Sequence, residues 1–79
     1  MNRKFRVYQL VSKEDNKITI NISKITNSMS NAFAIAESWS GENGKVINDT
    51  FYRIVKTDMQ EIENILRNAS ENDCLIVEE

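Results

Sequence analysis

The sequence predicts a two-layer α+β domain with the element order β-β-α-β-α-β, in which two helices pack on one face of a mainly antiparallel sheet of about four strands. Residues 17–23 alternate isoleucine with polar side chains, which is the two-residue period of a half-buried strand. Residues 29–39 and 59–69 instead repeat apolar side chains at helical spacing. The chain has 79 residues, 41% hydrophobic and 28% charged, as expected for one domain over residues 1–79.

The first two strands are expected to form an antiparallel hairpin. Residues 4–11 are rich in β-branched and aromatic side chains, and residues 12–17 are all polar and contain Asp-Asn, which is typical of a turn. Apolar side chains fall on both faces of the first strand. Either both of its faces are partly covered, or Tyr8 and Leu10 lie on an exposed patch.

The first helix is expected to pack on the second strand. Ser28 is the favoured N-cap, and either Gly41 or Gly44 ends the helix, since glycine readily takes the left-handed conformation found after helices. Trp39 at the end of the apolar stripe favours a core position. The expected interface consists of Ile18, Ile20, Ile22, Met29, Ala32, Phe33, Ala36 and Trp39.

Further strands are predicted in the second half of the chain. Residues 46–47 favour a short strand between two polar segments, and residues 50–56 favour a longer one. Residues 74–77 form an uninterrupted apolar run, which predicts a last, buried strand.

A second helix is predicted between these strands. Its start is a capping box, formed either by Thr57 and Gln60 or by Asp58 and Glu61. Its apolar stripe consists of Met59, Ile62, Ile65, Leu66 and Ala69.

Charge is distributed unevenly along the chain. Residues 1–24 carry a net charge of +4 and residues 57–79 carry −6, whereas the whole chain carries −2. This asymmetry has two interpretations. It gives the domain a basic face and an acidic face, or the two ends attract one another across the sheet.

The composition speaks against most catalytic and metal chemistry. The chain has no histidine, one cysteine, and no glycine-rich phosphate-binding motif. Cys74 stands beside apolar residues, so we interpret it as a small buried hydrophobe. We expect a protein that is not an enzyme and has no cofactor. No apolar run is long enough for a membrane span, and the N-terminus does not resemble a signal peptide, so we expect a cytoplasmic location.

An open sheet face is the predicted binding surface. If both helices cover one face, the other carries Arg6, Tyr8, Leu10, Thr19, Asn21 and Tyr52. Aromatic side chains and arginine on such a face favour protein docking. The predicted binding residues are Arg6, Tyr8, Leu10, Lys17, Tyr52 and Arg53. Self-association is a further interpretation, because a domain this small buries little core.

Nucleic-acid binding is the alternative function. The basic hairpin carries Arg3, Lys4, Arg6 and Lys17 beside Tyr8, which suits phosphate contacts and base stacking. The sequence pI of about 5.1 speaks against it, since nucleic-acid modules are usually basic.

Three segments carry a recognisable pattern, namely residues 18–23, Ser28-x-Ser30-Asn31-Ala32-x-x-Ile35-Ala36-Glu37-x-Trp39, and the strand over residues 51–55. This pattern resembles that of small phage-encoded α+β anti-CRISPR proteins, and the resemblance covers about residues 5–56. It implies a small non-enzymatic inhibitor that docks on a bacterial defence complex. It assigns no particular residue to that task.

Overall fold

The computed structural model describes residues 3–48, 54–55 and 58–79. The strands are β1 (Phe5–Glu14), β2 (Lys17–Ile22), β3 (Ile54–Val55) and β4 (Cys74–Glu78), and the helices are α1 (Met29–Ser40) and α2 (Met59–Arg67). The predicted mixture of helices and strands is confirmed. Apart from β3, the strand predicted over residues 50–56 lies outside the described residues. Neither described helix has the length and apolar content that a membrane span requires.

The described strands form one sheet in the order β2-β1-β4-β3. β1 pairs antiparallel with both of its neighbours, whereas the short β3 pairs parallel with β4. The predicted last strand is therefore an inner strand, and its residues 74–77 are each at most 1% exposed. A strand that is covered on both faces needs apolar side chains at successive positions, and this run supplies them.

The hairpin turn is tighter than the predicted turn over residues 12–17. β1 extends to Glu14, which pairs with Lys17, so the turn consists of Asp15 and Asn16. Asp15 has a φ of 56°, a left-handed conformation that aspartate adopts more readily than most residues. The predicted antiparallel hairpin is confirmed.

Local capping signals fix the starts of both helices. The Ser28 side chain accepts a hydrogen bond from the backbone N–H of Asn31 at 3.0 Å, and Gly41 follows the last residue of α1. Of the two alternatives for α2, the structure shows Asp58 as the N-cap, with Oδ1 accepting from the Glu61 N–H at 3.0 Å. Each cap satisfies a backbone donor that the helix itself leaves unpaired.

The two helices lie on opposite faces of the sheet, so the prediction of two helices on one face is wrong. Neighbouring residues of β1 point to opposite faces and are apolar on both, so each face needs a cover. The α1 cluster comprises Phe5, Val7, Ala32, Ala36, Val46, Cys74 and Ile76. The α2 cluster comprises Tyr8, Leu10, Ile62, Leu66, Leu75 and Val77. The fold therefore has three layers, with the sheet between the helices.

The predicted contact of Ile18, Ile20 and Ile22 with Phe33 and Ala36 is also wrong. The isoleucines lie on the face that α2 covers. Leu10 and Tyr8, the β1 partners of Ile20 and Ile22, belong to the α2 cluster, and Ile18 and Ile20 pack against that cluster. Phe33 and Ala36 pack in the α1 cluster on the other face. The alternation along β2 shows correctly that one face is apolar, but it does not show which helix covers that face.

The outer edge of β4 is completed partly by a side chain. The strand predicted over residues 46–47 is only an isolated parallel bridge between Val46 and Cys74. Beyond it, the Ile76 N–H donates to Oδ1 of Asn48 at 3.1 Å, and Nδ2 of Asn48 donates to the Ile76 carbonyl at 2.7 Å. The Asn48 amide thus takes the place of a backbone peptide at this point of the edge.

A buried carboxylate holds together the loops that follow the two helices. Asp73 is buried, and its two oxygens accept hydrogen bonds from the N–H groups of Lys45 at 3.0 Å and Ser70 at 2.9 Å. The loops approach so closely that a Cβ on Gly44 would lie 2.6 Å from the carbonyl carbon of Asn72. Gly44 is therefore required by this approach, whereas Gly41 is the helix cap.

Candidate functional site

The open sheet face predicted to carry the binding residues does not exist, because α2 covers it. Tyr8 is 8% exposed and Leu10 is fully buried, and both belong to the α2 cluster. Thr19 and Asn21 lie on the opposite face, since they alternate with the β2 isoleucines. Tyr52 lies outside the described residues. Of the two interpretations of β1, cover on both faces is the one confirmed.

A groove of about 510 Å³ opens instead at the N-terminal end of α2. Its floor is apolar and buried, and its rim carries two large apolar side chains that remain exposed, Ile25 at 46% and Met59 at 40%. We define the groove by its lining residues, which are Arg6, Tyr8, Ile25, Asp58, Met59, Ile62, Val77 and Glu79.

Four segments of the chain position these side chains. β1 and β4 supply the floor through Tyr8 and Val77, which belong to the α2 cluster. The first turn of α2 begins at Met59, directly after the N-cap, and therefore stands at the mouth of the groove. Ile25 comes from the segment between β2 and α1. This segment is fixed beside β1 by two hydrogen bonds between Phe5 and Thr26, at 2.8 and 2.9 Å.

Among its described lining residues, the groove carries one cation and two carboxylates. Nε of Arg6 lies 3.1 Å from Oε1 of Glu79, within ion-pair distance but without the geometry of a hydrogen bond. This pair is partly exposed, so it stabilises the fold by about 0–1 kcal/mol. The second carboxylate is the Asp58 cap. Burial, and then the charge of Glu79, raise the pKa of the Tyr8 phenol, while Arg6 lowers it. Tyr8 is therefore neutral at physiological pH and presents a hydroxyl rather than a charge.

Of the predicted binding residues, the structure brings Arg6 and Tyr8 into the groove. Lys17 lies elsewhere, because it pairs with Glu14 beside the hairpin turn. Arg6 and Glu14 are eight positions apart along β1, which corresponds to a distance of about 26 Å. Arg53 lies outside the described residues. The predicted set therefore does not form one site over the described part of the chain.

The ends of the chain attract one another, as the second interpretation of the charge pattern held. Nε of Arg3 lies 2.8 Å from Oε2 of Glu78, and Arg6 lies beside Glu79. These carboxylates offset positive charge that the nucleic-acid hypothesis assigns to phosphate contacts. The predicted basic hairpin is thus partly neutralised at one end, and its lysine at the turn is far from that end.

Sequence reasoning missed Ile25 and Met59 as surface residues. Met59 belongs to the apolar stripe of α2, so the periodicity favoured burial. Ile25 gave a clearer signal, because it is an isolated large apolar residue in the polar segment 23–28. No part of that segment repeats at strand or helix spacing in a way that would bury it.

Catalytic and metal chemistry finds little support among the described residues. They hold no group of three or more cysteine, aspartate or glutamate side chains placed to bind a metal ion. Cys74 is fully buried, as predicted. Burial, and secondarily the charge of Asp73, raise the pKa of its thiol to about 11, so the nucleophilic thiolate is scarce at neutral pH.

Comparison with known proteins gives no significant match to a protein family, a curated protein or a solved structure. The function of the protein is therefore inferred from the residues, contacts and charges of the groove, together with the sequence resemblance described above.

Proposed function

We propose that the protein is a small non-enzymatic binding protein that takes an apolar side chain of another protein into the groove at the start of α2. The observation that carries this proposal is the exposure of Ile25 and Met59 on the rim of an apolar floor. Full burial of such a side chain is worth about 1.5–3 kcal/mol, so covering the exposed halves of both contributes roughly 1–3 kcal/mol. A contribution of that size is typical of an anchor at a protein interface.

The charges around the groove favour a basic residue beside the apolar anchor. Among the described lining residues, Arg6 is paired with Glu79, and the carboxylate of Asp58 is exposed at the start of α2. The partner that fits is thus a segment with an aliphatic or aromatic side chain next to lysine or arginine.

The proposal extends to a biological role through the resemblance of residues 5–56 to anti-CRISPR proteins. A 9.1 kDa domain of this kind acts by occupying a surface that its target needs. In this role the groove docks on a protein of a bacterial defence complex and blocks it. The role rests on the sequence resemblance, whereas the docking site rests on the exposed side chains of the groove.

A displayed library of random linear peptides tests the docking site. The protein should enrich peptides that share an apolar residue beside a basic one, and Met59→Asp should abolish their binding. Val11→Asp is the matched control, because Val11 is 42% exposed but does not line the groove. Enrichment of peptides that bind the Met59→Asp protein equally well would reject the groove as the docking site.

Phage infection tests the inhibitory role. In a bacterium with an active CRISPR system, expression of the protein should restore plaques of a targeted phage. Met59→Asp should remove this effect, and Val11→Asp should retain it. Unchanged immunity during expression of the folded protein, across the CRISPR types tested, would contradict the role while leaving the docking site to the peptide experiment.

A further inference from the structure

We infer that the edge of β2 to which no described strand is bonded pairs with β2 of a second copy of this chain. This gives a two-fold symmetric dimer in which the four described strands of each copy form one continuous sheet. β2 is the terminal strand of the sheet, next to β1 on one side. This interface is separate from the groove that carries the proposed function.

The backbone of β2 presents hydrogen-bonding groups along this edge. In an antiparallel pair, successive residues bond alternately to one neighbour and to the other. The N–H of Ser23 donates to the carbonyl of Val7 at 2.9 Å, and Leu10 bonds to the segment before β4 through its N–H and its carbonyl, at 3.0 and 2.8 Å. The backbone N–H and carbonyl groups of odd-numbered β1 residues therefore point toward β2 up to the bulge. Those of Asn21 in β2 point back toward β1. It follows that the backbone groups of Ile20 and Ile22 point outward.

The alternation of inward and outward backbone groups continues beyond the bulge at Val11. Lys17 closes the two-residue turn by pairing with Glu14, and such closing pairs bond inward. The backbone N–H and carbonyl of Thr19 then also point toward β1, whereas those of Ile18 point away from it. The outward groups of β2 therefore belong to three consecutive even-numbered residues, all isoleucine.

Between Ile18 and Ile22, the edge lacks the features that keep strands apart. The chain has no proline, and the bulge of the hairpin lies on β1 rather than on β2. The outward-bonding positions carry no charge, and Ile22 remains 45% exposed on the face covered by α2. Charges, prolines and bulges are the usual protection of an exposed edge, so a flat edge of this composition favours pairing with another strand.

One register makes β2 complementary to itself. With Ile20 on the two-fold axis, Ile18 lies opposite Ile22 of the second copy, so all three outward residues form hydrogen-bonded pairs. On the other face of the sheet, Thr19 lies opposite Asn21 of the second copy. No like charges meet, because Lys17 lies opposite a serine. The exposed Ile22 thereby gains an aliphatic cross-strand neighbour.

The helices leave room for this pairing. The two-fold axis is perpendicular to the sheet, so both copies of α2 lie on the same face. Each α2 packs against β1. The two β1 strands would be three strand spacings apart, about 14 Å, whereas a helix with its side chains is about 10 Å wide. The isoleucines of both β2 strands then form the floor between the two helices.

Sedimentation and light scattering over a concentration series test the dimer. The full chain should change from 9.1 kDa to twice that mass as its concentration rises. Thr19→Lys with Asn21→Lys places two pairs of like charges across the axis and should weaken dimerisation at least about tenfold at low salt. Thr19→Lys with Asn21→Glu alters the same exposed positions but places opposite charges across the axis, so it should retain the dimer.

The two double variants control for folding, because both are measured by circular dichroism and Trp39 fluorescence beside the parent chain. A chain that stays monomeric up to its solubility limit would overturn the inference, and so would a dimer that both variants leave unchanged or weaken equally. Met59→Asp in the groove should not change the dimer, which separates this test from that of the proposed function.

Discussion

Replacing Asn48 by alanine should destabilise the fold far more than the loss of one loop side chain suggests. Asn48 and Ile76 are each 1% exposed. The amide of Asn48 is bonded to both backbone groups of Ile76, at 3.1 and 2.7 Å. Asn48→Ala leaves a buried N–H and a buried carbonyl without these partners. Each unsatisfied group costs about 1–3 kcal/mol, so we expect a loss of about 2–6 kcal/mol.

This loss is large compared with the stability of such a domain. A chain of this length has a free energy of unfolding of about 4–12 kcal/mol. A loss of 2 kcal/mol lowers Tm by at least about 8 °C in a domain of this size. Asn48→Asp keeps an acceptor for the Ile76 N–H but buries a charge and removes the donor, so it should be at least as destabilising.

Urea unfolding followed by far-ultraviolet circular dichroism and by the fluorescence of Trp39, the only tryptophan, measures the change. Amide hydrogen exchange adds a local readout, since the Ile76 N–H should lose its protection in Asn48→Ala. Asn43→Ala is the control, because Asn43 is exposed in the turn after α1 and should change stability by less than about 0.5 kcal/mol. If Asn48→Ala and Asn43→Ala were equally stable, the side-chain pairing of this edge would be refuted.

Three further predictions concern the turns and the buried thiol. Gly44→Ala should lower the free energy of unfolding by about 1–3 kcal/mol in urea titrations, because its Cβ would overlap the backbone of Asn72; an unchanged midpoint would contradict this close approach. Asp15→Gly should raise stability by about 0.5–1 kcal/mol, since glycine adopts the φ of 56° without strain, and a lower Tm would argue against that turn conformation. Cys74 should resist iodoacetamide in the native state at pH 8. Because its pKa is raised to about 11, the stability it contributes is complete below the pKa of the unfolded thiol, near 9, and is lost as the pH rises from about 9 through 11. Cys74→Ala should remove that part of the pH dependence, and an identical pH profile in both proteins would exclude the thiol as its cause.

Features that depend on neighbours in the chain were predicted well. Ser28 and Asp58 cap their helices because a short polar side chain reaches a backbone N–H three residues ahead. The hairpin follows from a polar turn between two strand patterns, although the turn is shorter than the polar run. The apolar run from Cys74 predicted a buried strand, and the structure places it inside the sheet.

The candidate site was predicted only in part. Arg6 and Tyr8 do lie together in the groove, but Ile25 and Met59, which make its rim apolar, were not among the predicted residues. Their exposure depends on where α2 begins relative to the sheet and on the path of the segment after β2. Neither feature can be read from a short stretch of sequence. The exposure of Ile25 could still have been predicted, because it is an isolated apolar residue in a polar segment.

The sequence by itself determined the two strands of the hairpin, the two helices, the last strand, the N-cap of α1, and that β1 is apolar on both faces. Only the tertiary structure decided that α1 covers Phe5 and Val7 while α2 covers Tyr8 and the β2 isoleucines. The physical reason is that periodicity fixes the direction of a side chain relative to its own backbone. The hydrophobic effect, in contrast, rewards burial against any apolar surface, so the choice of surface depends on the arrangement of the whole chain.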